Sequence, residues 1–136
     1  MANNKDNLIH INGIKLADKL ILICQPNAAL YEVSCYDSET INFYLKQGIS
    51  IIYWNYRGFG RSTGSPTLSN MVSDGCEIIQ LMKNRLNPSK FIVYGRSLGG
   101  HVAKSLCSTG LVDVVVLDRT FSNIGYVPRE MMGKWA

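Results

Sequence analysis

Residues 90–102 read KFIVYGRSLGGHV, an apolar run that breaks into glycines around one serine and then turns apolar again. Glycines lack a Cβ, so the chain can turn sharply there and let neighbouring backbone come close. A strand that ends here, followed at once by a helix, leaves Ser97 on a strained, exposed corner. The spacing Gly95-x-Ser97-x-Gly99 is typical of a nucleophilic serine in that position. An ordinary glycine-rich turn between strand and helix has the same local sequence, so the rest of the chain must decide between the two.

The composition is that of one globular domain. The 136 residues are 46% apolar, and 14 Lys and Arg against 10 Asp and Glu give a net charge of +4. The basic residues form no cluster, so we expect no nucleic-acid partner, although the mild positive charge is compatible with peripheral contact with a membrane surface. No apolar run approaches the roughly 20 residues of a spanning helix. The start, MANNKDNLIH, lacks the apolar core of a secretory signal, so we expect a reducing compartment, cytoplasmic by default.

Two patterns that resemble cofactor or metal sites do not meet the requirements of such sites. Residues 58–64, GFGRSTG, miss the spacing of a dinucleotide-binding turn and are followed by Ser65-Pro66 instead of a helix. The four cysteines show no C-x-x-C spacing, and we interpret them as reduced thiols. They are Cys24, Cys35, Cys76 and Cys107. The sequence therefore predicts no cofactor and no metal.

Four short apolar runs alternate with longer amphipathic stretches, which indicates an α/β fold with a parallel sheet. The predicted strands are residues 19–24, 50–55, 91–94 and 112–117. A helix is expected at 68–86, a weaker one at 30–46 that is interrupted at 37–40, and a third from Leu98 to about Ser108. Residues 1–18, with the turn dipeptide Asn12-Gly13, are predicted to form an edge ribbon.

The loop after the first predicted strand is a candidate for the second backbone N–H donor that acyl transfer needs. An oxyanion needs a second N–H donor, and this donor comes from the loop after a neighbouring strand. That loop begins Cys24-Gln25-Pro26-Asn27. Proline carries no N–H, so Asn27 is the first residue after it that can donate.

Four segments in the same order as in a known family carry a resemblance. ILICQPNAALYEV, YWNYRGFGRSTGSP, FIVYGRSLGG and VVVLDRTFSN resemble signatures of α/β-hydrolase-fold serine hydrolases, in particular the abhydrolase-domain lipases and depalmitoylating enzymes. The resemblance implies three layers, with helices on both faces of a mostly parallel sheet. It also implies that the strand at 19–24 lies between those at 50–55 and 91–94, with 112–117 outside the last.

The resemblance assigns site residues by position. Ser97 corresponds to the nucleophile, the backbone N–H groups of Leu98 and Asn27 to the oxyanion donors, and Gly95 and Gly99 to the elbow glycines. The chain departs from the family in the oxyanion loop. There Gln25-Pro26 replaces a His-Gly or Gly pair, and Ala29 replaces a second glycine, which predicts a stiffer or displaced loop.

Two members of a serine triad are not evident. In this fold the acid and the histidine follow the serine in the chain. The only histidine after Ser97 is His101, which is expected inside the helix that leaves the elbow and is badly placed as a base. His10 is interpreted as structural. Asp118 ends the last predicted strand and is the alternative triad acid, but no suitable histidine accompanies it.

We therefore expect residues 1–136 to form one partial hydrolase domain: the ribbon at 1–18, the nucleophile and oxyanion half at 19–124, and the beginning of a missing part at 125–136. The expected substrates are small lipid-like acyl esters or thioesters, and the fragment itself is expected to be inactive. The alternative is a non-catalytic interaction module or a decayed hydrolase, whose exposed sheet edge pairs with another chain.

Arg57 and Arg61 suit an anionic headgroup, but we favour a role in pinning the turn through backbone carbonyls.

Overall fold

The computed structural model of the protein describes residues 18–122. The predicted edge ribbon, apart from Asp18, and the predicted tail at 125–136 lie outside the described residues. The helices and strands follow one another as β1 (Lys19–Cys24), α1 (Tyr31–Ser34), α2 (Ser38–Lys46), β2 (Ile49–Tyr53), α3 (Leu68–Leu86), β3 (Lys90–Arg96), α4 (Leu98–Cys107) and β4 (Val114–Asp118).

The strands form a parallel sheet in the order β2-β1-β3-β4. Leu22 of β1 is paired with Ile52 on one side and with Val93 on the other. This confirms the predicted neighbours of β1 and the outer position of β4. The last strand begins at Val114 and not at residue 112, because Asp113 is held to β3 before the ladder begins. Its carboxylate accepts a hydrogen bond from the Phe91 N–H at 2.7 Å, and its own N–H donates to the Phe91 carbonyl at 2.9 Å.

Helices α3 and α4 cover one face of the sheet and bury most of the core. The core on this side includes Leu20, Leu22, Ile52, Phe91, Val93, Met71, Ile79, Met82, Val102 and Leu106. The helix expected at 68–86 is therefore confirmed, and it buries Met71, Ile79 and Met82. Gly75 allows the two helices to meet, since a Cβ there would lie 2.9 Å from Leu106 Cδ1. Within residues 18–122, neither α3 nor a shorter helix has the length and apolarity needed to cross a bilayer.

The opposite face is covered more thinly, by α1 and α2. The predicted helix at 30–46 is in fact two helices, because Asp37 caps α2: its side chain accepts hydrogen bonds from the Thr40 N–H at 3.2 Å and from the Thr40 hydroxyl at 2.6 Å. Neither helix has a fully buried residue. Phe43 on α2 is 60% exposed. The two faces of the sheet are therefore very unequal.

The absence of a side chain on Gly99 allows α4 to approach the sheet closely. A substitution at this position tests how much that approach contributes to stability. A Cβ on Gly99 would lie 1.9 Å from the Cys24 carbonyl oxygen, so backbone would have to move. We expect Gly99→Ala to lower the free energy of unfolding by more than about 3 kcal/mol. Urea unfolding measures this loss.

Gly48→Ala is the matched control. Gly48 has a φ of 70°, and nothing lies within 4 Å of a Cβ added there. Only the strain of the left-handed conformation remains, at about 1 kcal/mol. Equal losses in the two variants would show that the approach of α4 to β1 does not limit stability.

Candidate active site

Ser97 occupies the single position between β3 and α4. Its φ of 55° and ψ of −119° lie in a region that residues other than glycine rarely adopt. Such a conformation costs of order 1–3 kcal/mol and persists only where its surroundings enforce it. The Ser97 side chain makes no capping hydrogen bond to α4. The strained corner expected from the sequence is therefore present, and the hydroxyl is not used to hold the helix.

Three glycines make this corner sterically possible. A Cβ on Gly95 would lie 2.2 Å from the Gly99 carbonyl oxygen, and one on Gly100 would lie 2.1 Å from Thr120 Oγ1. Gly99 lies against the end of β1, as described above. The first turn of α4 is thus packed against β3, β1 and the segment after β4.

Hydrogen bonds of Gln25 hold the loop after β1 in place. Gln25 is one of the residues at which the chain departs from the family pattern. Gln25 is buried, its carbonyl accepts a hydrogen bond from the Tyr56 hydroxyl at 2.9 Å, and its side-chain oxygen accepts one from the Ser34 hydroxyl at 2.7 Å. The Gln25 Nε2 group has no partner among the described residues. A turn follows, in which the Ala29 N–H donates to the Pro26 carbonyl at 3.3 Å.

Asn27 lies at the exposed tip of this turn, next to Ala28, whose φ is 63°. Leu98 is the first residue of α4 and is buried. The strands that precede the two residues, β1 and β3, are neighbours and parallel, so both residues follow carboxyl ends at the same edge of the sheet. A Cβ on Gly99, next to Leu98, would lie 2.7 Å from the Gln25 carbonyl oxygen. The two loops therefore adjoin.

The arginines after β2 have unequal surroundings. Arg57 Nε donates to Asp74 of α3 at 2.8 Å, and its Nη2 atom contacts the other carboxylate oxygen. The side-chain hydrogen bond to Asp74 raises the pKa of Arg57. The expectation that Arg57 pins the turn through backbone carbonyls is therefore wrong: its guanidinium binds the Asp74 carboxylate of α3. Arg61 is exposed and has no hydrogen bond or ion pair to the described residues.

Asp118 holds β4 to β3. Its carboxylate accepts a hydrogen bond from the Tyr94 hydroxyl at 2.7 Å and one from Arg119 Nε at 3.1 Å, with Arg96 Nε at 3.8 Å. These hydrogen bonds hold the pKa of the Asp118 carboxyl below its ordinary value. Burial and the bond to Asp118 raise the pKa of Tyr94 to about 12. The carboxylate is thus already paired with two cations and a phenol.

His101 is a residue of α4 with a partly buried side chain, as predicted. It follows Ser97 by one turn of the same helix, and its carbonyl accepts a hydrogen bond from the Ser105 hydroxyl at 3.1 Å. His10 lies outside the described residues. Within residues 18–122, therefore, no histidine lies on a separate loop that could face the Ser97 hydroxyl.

An open cleft of about 500 Å³ lies on the thinly covered side of the sheet. It is lined mainly by polar and aromatic side chains from α1, α2 and the carboxyl ends of the strands. They include Gln25, Ser34, Asp37, Tyr44, Tyr53 and Tyr94. Ser97 and Asn27 do not line the cleft, but Arg96 and Pro26, the residues immediately before them, do.

Two residues that hold the site in place, Tyr94 and Thr120, were not identified from the sequence. Thr120 lies 23 positions after Ser97 and donates a hydrogen bond to its carbonyl. Tyr94 acts through Asp118, 24 positions away from it, whose carboxylate accepts from the Tyr94 hydroxyl and whose carbonyl accepts from the Ser97 N–H. The only sequence signal for Thr120 was the additional glycine at position 100, which indicates that something must lie close to the helix there.

Comparison with known families and proteins agrees with this architecture. Residues 31–114 match the family Hydrolase_4, described as serine aminopeptidase, S33. The phosphatidylserine lipase ABHD16A of Macaca fascicularis is 35% identical over 109 residues, which cover 78% of this chain and 19% of that protein. The lysophosphatidylserine lipase ABHD12 of Danio rerio is 37% identical over 82 residues, covering 57% and 22%. The chain thus spans about a fifth of the length of these curated relatives.

Solved structures show the same fold. The α/β serine hydrolase XC6422 of Xanthomonas campestris superposes with a TM-score of 0.64 at 14% identity, over 77% of this chain and 50% of that one. The esterase EaEST of Exiguobacterium antarcticum superposes with a TM-score of 0.63 at 24% identity, over 87% and 42%. The fold is therefore that of α/β hydrolases. Because the family match also spans more than half of the sequence, the chain belongs to the Hydrolase_4 family, serine aminopeptidase, S33.

Proposed function

We propose that this chain carries the nucleophile and oxyanion half of a serine hydrolase that acts on acyl esters or thioesters. In the reaction, Ser97 Oγ gives up its proton to a base and bonds to the acyl carbon. The bond from that carbon to the ester oxygen or thioester sulfur breaks, the leaving alcohol or thiol takes up the proton, and water then releases the acid from the serine. The observation that carries the proposal is the backbone of Ser97, which is strained at the end of β3 while its hydroxyl makes no capping bond. Strain of this kind concentrates where a side chain must be presented to a substrate.

The oxyanion donors in this proposal are the backbone N–H groups of Asn27 and Leu98. Two features support them. The loop that bears Asn27 adjoins the first turn of α4, because Gly99 lies against the carbonyls of Cys24 and Gln25. Leu98 is in the first turn of a helix, where N–H groups lack intrahelical partners and the dipole favours negative charge. Gly95 and Gly99 act as elbow glycines by allowing that packing.

The proposed substrates are lipid-like. The names of the relatives, phosphatidylserine lipase and lysophosphatidylserine lipase, support phospholipid or lysophospholipid esters. We extend the class to monoacylglycerols and palmitoyl-protein thioesters, since the same acyl chemistry applies. The large apolar side chains of Val33, Tyr36 and Phe43 are exposed, which suits peripheral contact with a membrane or an acyl chain.

We expect the acid and the base of a serine triad to lie outside residues 18–122. Asp118 is paired with Tyr94 and Arg119, which disfavours it as the carboxylate that orients a histidine. His101 is part of the helix that begins at the elbow. Removing one triad member costs on the order of 10⁴ to 10⁶ in turnover. We therefore expect the 136-residue chain to turn over acyl esters very slowly.

A fluorophosphonate probe tests the role of Ser97. Incubated in excess with the 136-residue chain, the probe is expected to label Ser97 slowly, with no rapid turnover of short or long acyl esters. Peptide mapping by mass spectrometry locates the label, and Ser97→Ala is the control.

Label at another serine, or none on Ser97 after prolonged incubation, would contradict the proposed nucleophile. Rapid turnover that disappears in Ser97→Ala would contradict the absence of a base. His101→Gln would then show whether the helix histidine supplies it.

The outer edge of β4 supports a second candidate function, an interaction module. Val114, Val116 and Leu117 are 46%, 41% and 44% exposed on a strand that pairs only with β3 among the described residues. Val114, Val115 and Val116 are β-branched, and the only charge of β4, Asp118, lies at its end. An edge strand of this kind tends to pair with another chain.

Ultracentrifugation at increasing concentration tests this edge. We expect the chain to self-associate and Val116→Lys to weaken that association severalfold, because a charged lysine on an edge strand disfavours pairing. Val33→Lys is the matched control, since Val33 is 68% exposed on α1 and away from the edge. If both substitutions weaken the association equally, the association arises from the apolar surface in general and not from the edge of β4.

A further inference from the structure

The strained backbone of Ser97 is held by the segment that follows β4. The Ser97 N–H donates to the Asp118 carbonyl at 3.2 Å. The Ser97 carbonyl accepts two hydrogen bonds, one from the Gly100 N–H at 3.0 Å and one from the Thr120 hydroxyl at 3.1 Å. Two of these three hydrogen bonds come from residues more than 20 positions away in the sequence.

The fold brings Thr120 to this position through three local features. The register of the sheet pairs Asp118 with Arg96, immediately before Ser97. Arg119 then has a φ of 47°, a turn conformation that changes the direction of the chain. The absence of a side chain on Gly100 provides the space, since a Cβ there would lie 2.1 Å from Thr120 Oγ1. Thr120 is partly buried as a result.

The Ser97 carbonyl and the Leu98 N–H belong to one peptide group. That group is trans and planar, so the C=O and N–H bonds point in opposite directions. Any contact that fixes the direction of the carbonyl also fixes the direction of the N–H. The Gly100 N–H provides one such contact, and the Thr120 hydroxyl provides a second that limits rotation of the peptide plane about the first.

We propose that Thr120 is a positioning residue that aims the Leu98 N–H at the developing oxyanion by holding the Ser97 carbonyl. This rests on the proposed function, in which Leu98 is an oxyanion donor. Thr120 does not touch the substrate. Without the Thr120 hydroxyl, the Ser97 carbonyl keeps only the hydrogen bond from the Gly100 N–H, and the peptide plane that carries the Leu98 N–H is freer to rotate about that bond.

A thiol at position 97 reports the direction of this N–H without requiring an acid or a base. In the Ser97→Cys variant, a thiolate next to an oriented N–H at a helix N-terminus titrates below the ordinary thiol pKa of about 8.5. The pH midpoint of its alkylation by iodoacetamide is measured by peptide mapping, which separates it from Cys24, Cys35, Cys76 and Cys107. Adding Thr120→Val or Thr120→Ala is expected to raise that midpoint by about one pH unit. Adding Thr120→Ser, which keeps the hydroxyl, is expected to leave it unchanged.

Thr109→Val is the matched control. The Thr109 hydroxyl also donates to a backbone carbonyl, that of Leu106 at 2.6 Å, but at the opposite end of α4. Its loss is expected to lower the thermal stability without moving the midpoint. A midpoint in Thr120→Val and Thr120→Ala equal to that in Thr109→Val would overturn the proposal, as would a shifted midpoint in Thr120→Ser.

The measurement of the thiol midpoint does not require hydrolase activity. If Ser97 fails to react with the fluorophosphonate while the thiol midpoint still depends on the hydroxyl of residue 120, Thr120 orients the Leu98 N–H but the proposed hydrolase activity, and with it the oxyanion role, falls.

Discussion

The contact between two backbones, that of Gly99 in α4 and that of Cys24 at the end of β1, is the constraint on which the rest of the structure depends. The Cys24 carbonyl oxygen occupies the space in which every residue other than glycine has its Cβ. Because the helix comes this close, it covers β1 and β3 together and begins immediately after the strand. The strained conformation of Ser97 and the proximity of the loop at 25–30 both follow from that one approach.

The sequence predicted most of the elements, because strand and helix signals are local. β1 has its predicted bounds, and the apolar face of α3 was visible in the spacing of Met71, Ile79 and Met82. The order of the strands could not be predicted from local signals. It came from the resemblance to a family and not from periodicity, since nothing within β1 indicates which strands flank it. The interruption expected at 37–40 in the helix at 30–46 is present, and Asp37 caps α2 there; the sequence did not show that α1 already ends at Ser34.

The candidate site was predictable where glycine spacing encodes it, and not where distant residues meet. Gly95 and Gly99 predicted the corner at Ser97. The ties of Gln25 to Tyr56 and of Tyr94 to Asp118 join residues 31 and 24 positions apart, and each partner has an ordinary local sequence. Arg57 illustrates the same limit: a bond to backbone carbonyls was expected, but its partner is Asp74 of α3, 17 positions further along the chain. The identities of Asn27 and Leu98 as donors were inferred from position in the family and remain proposals.

The bond between Thr120 and Ser97 also sets an order of events during synthesis. The two residues are 23 positions apart, and a ribosome adds roughly 5–20 residues per second. The glycine-rich corner therefore leaves the ribosome about one to several seconds before the hydroxyl that holds its carbonyl. Over that interval a nascent chain can form β1, β2 and β3, but it cannot fix the peptide between Ser97 and Leu98. Among the described residues, the backbone of Ser97 is thus completed only after β4 and the turn that follows it have been synthesised.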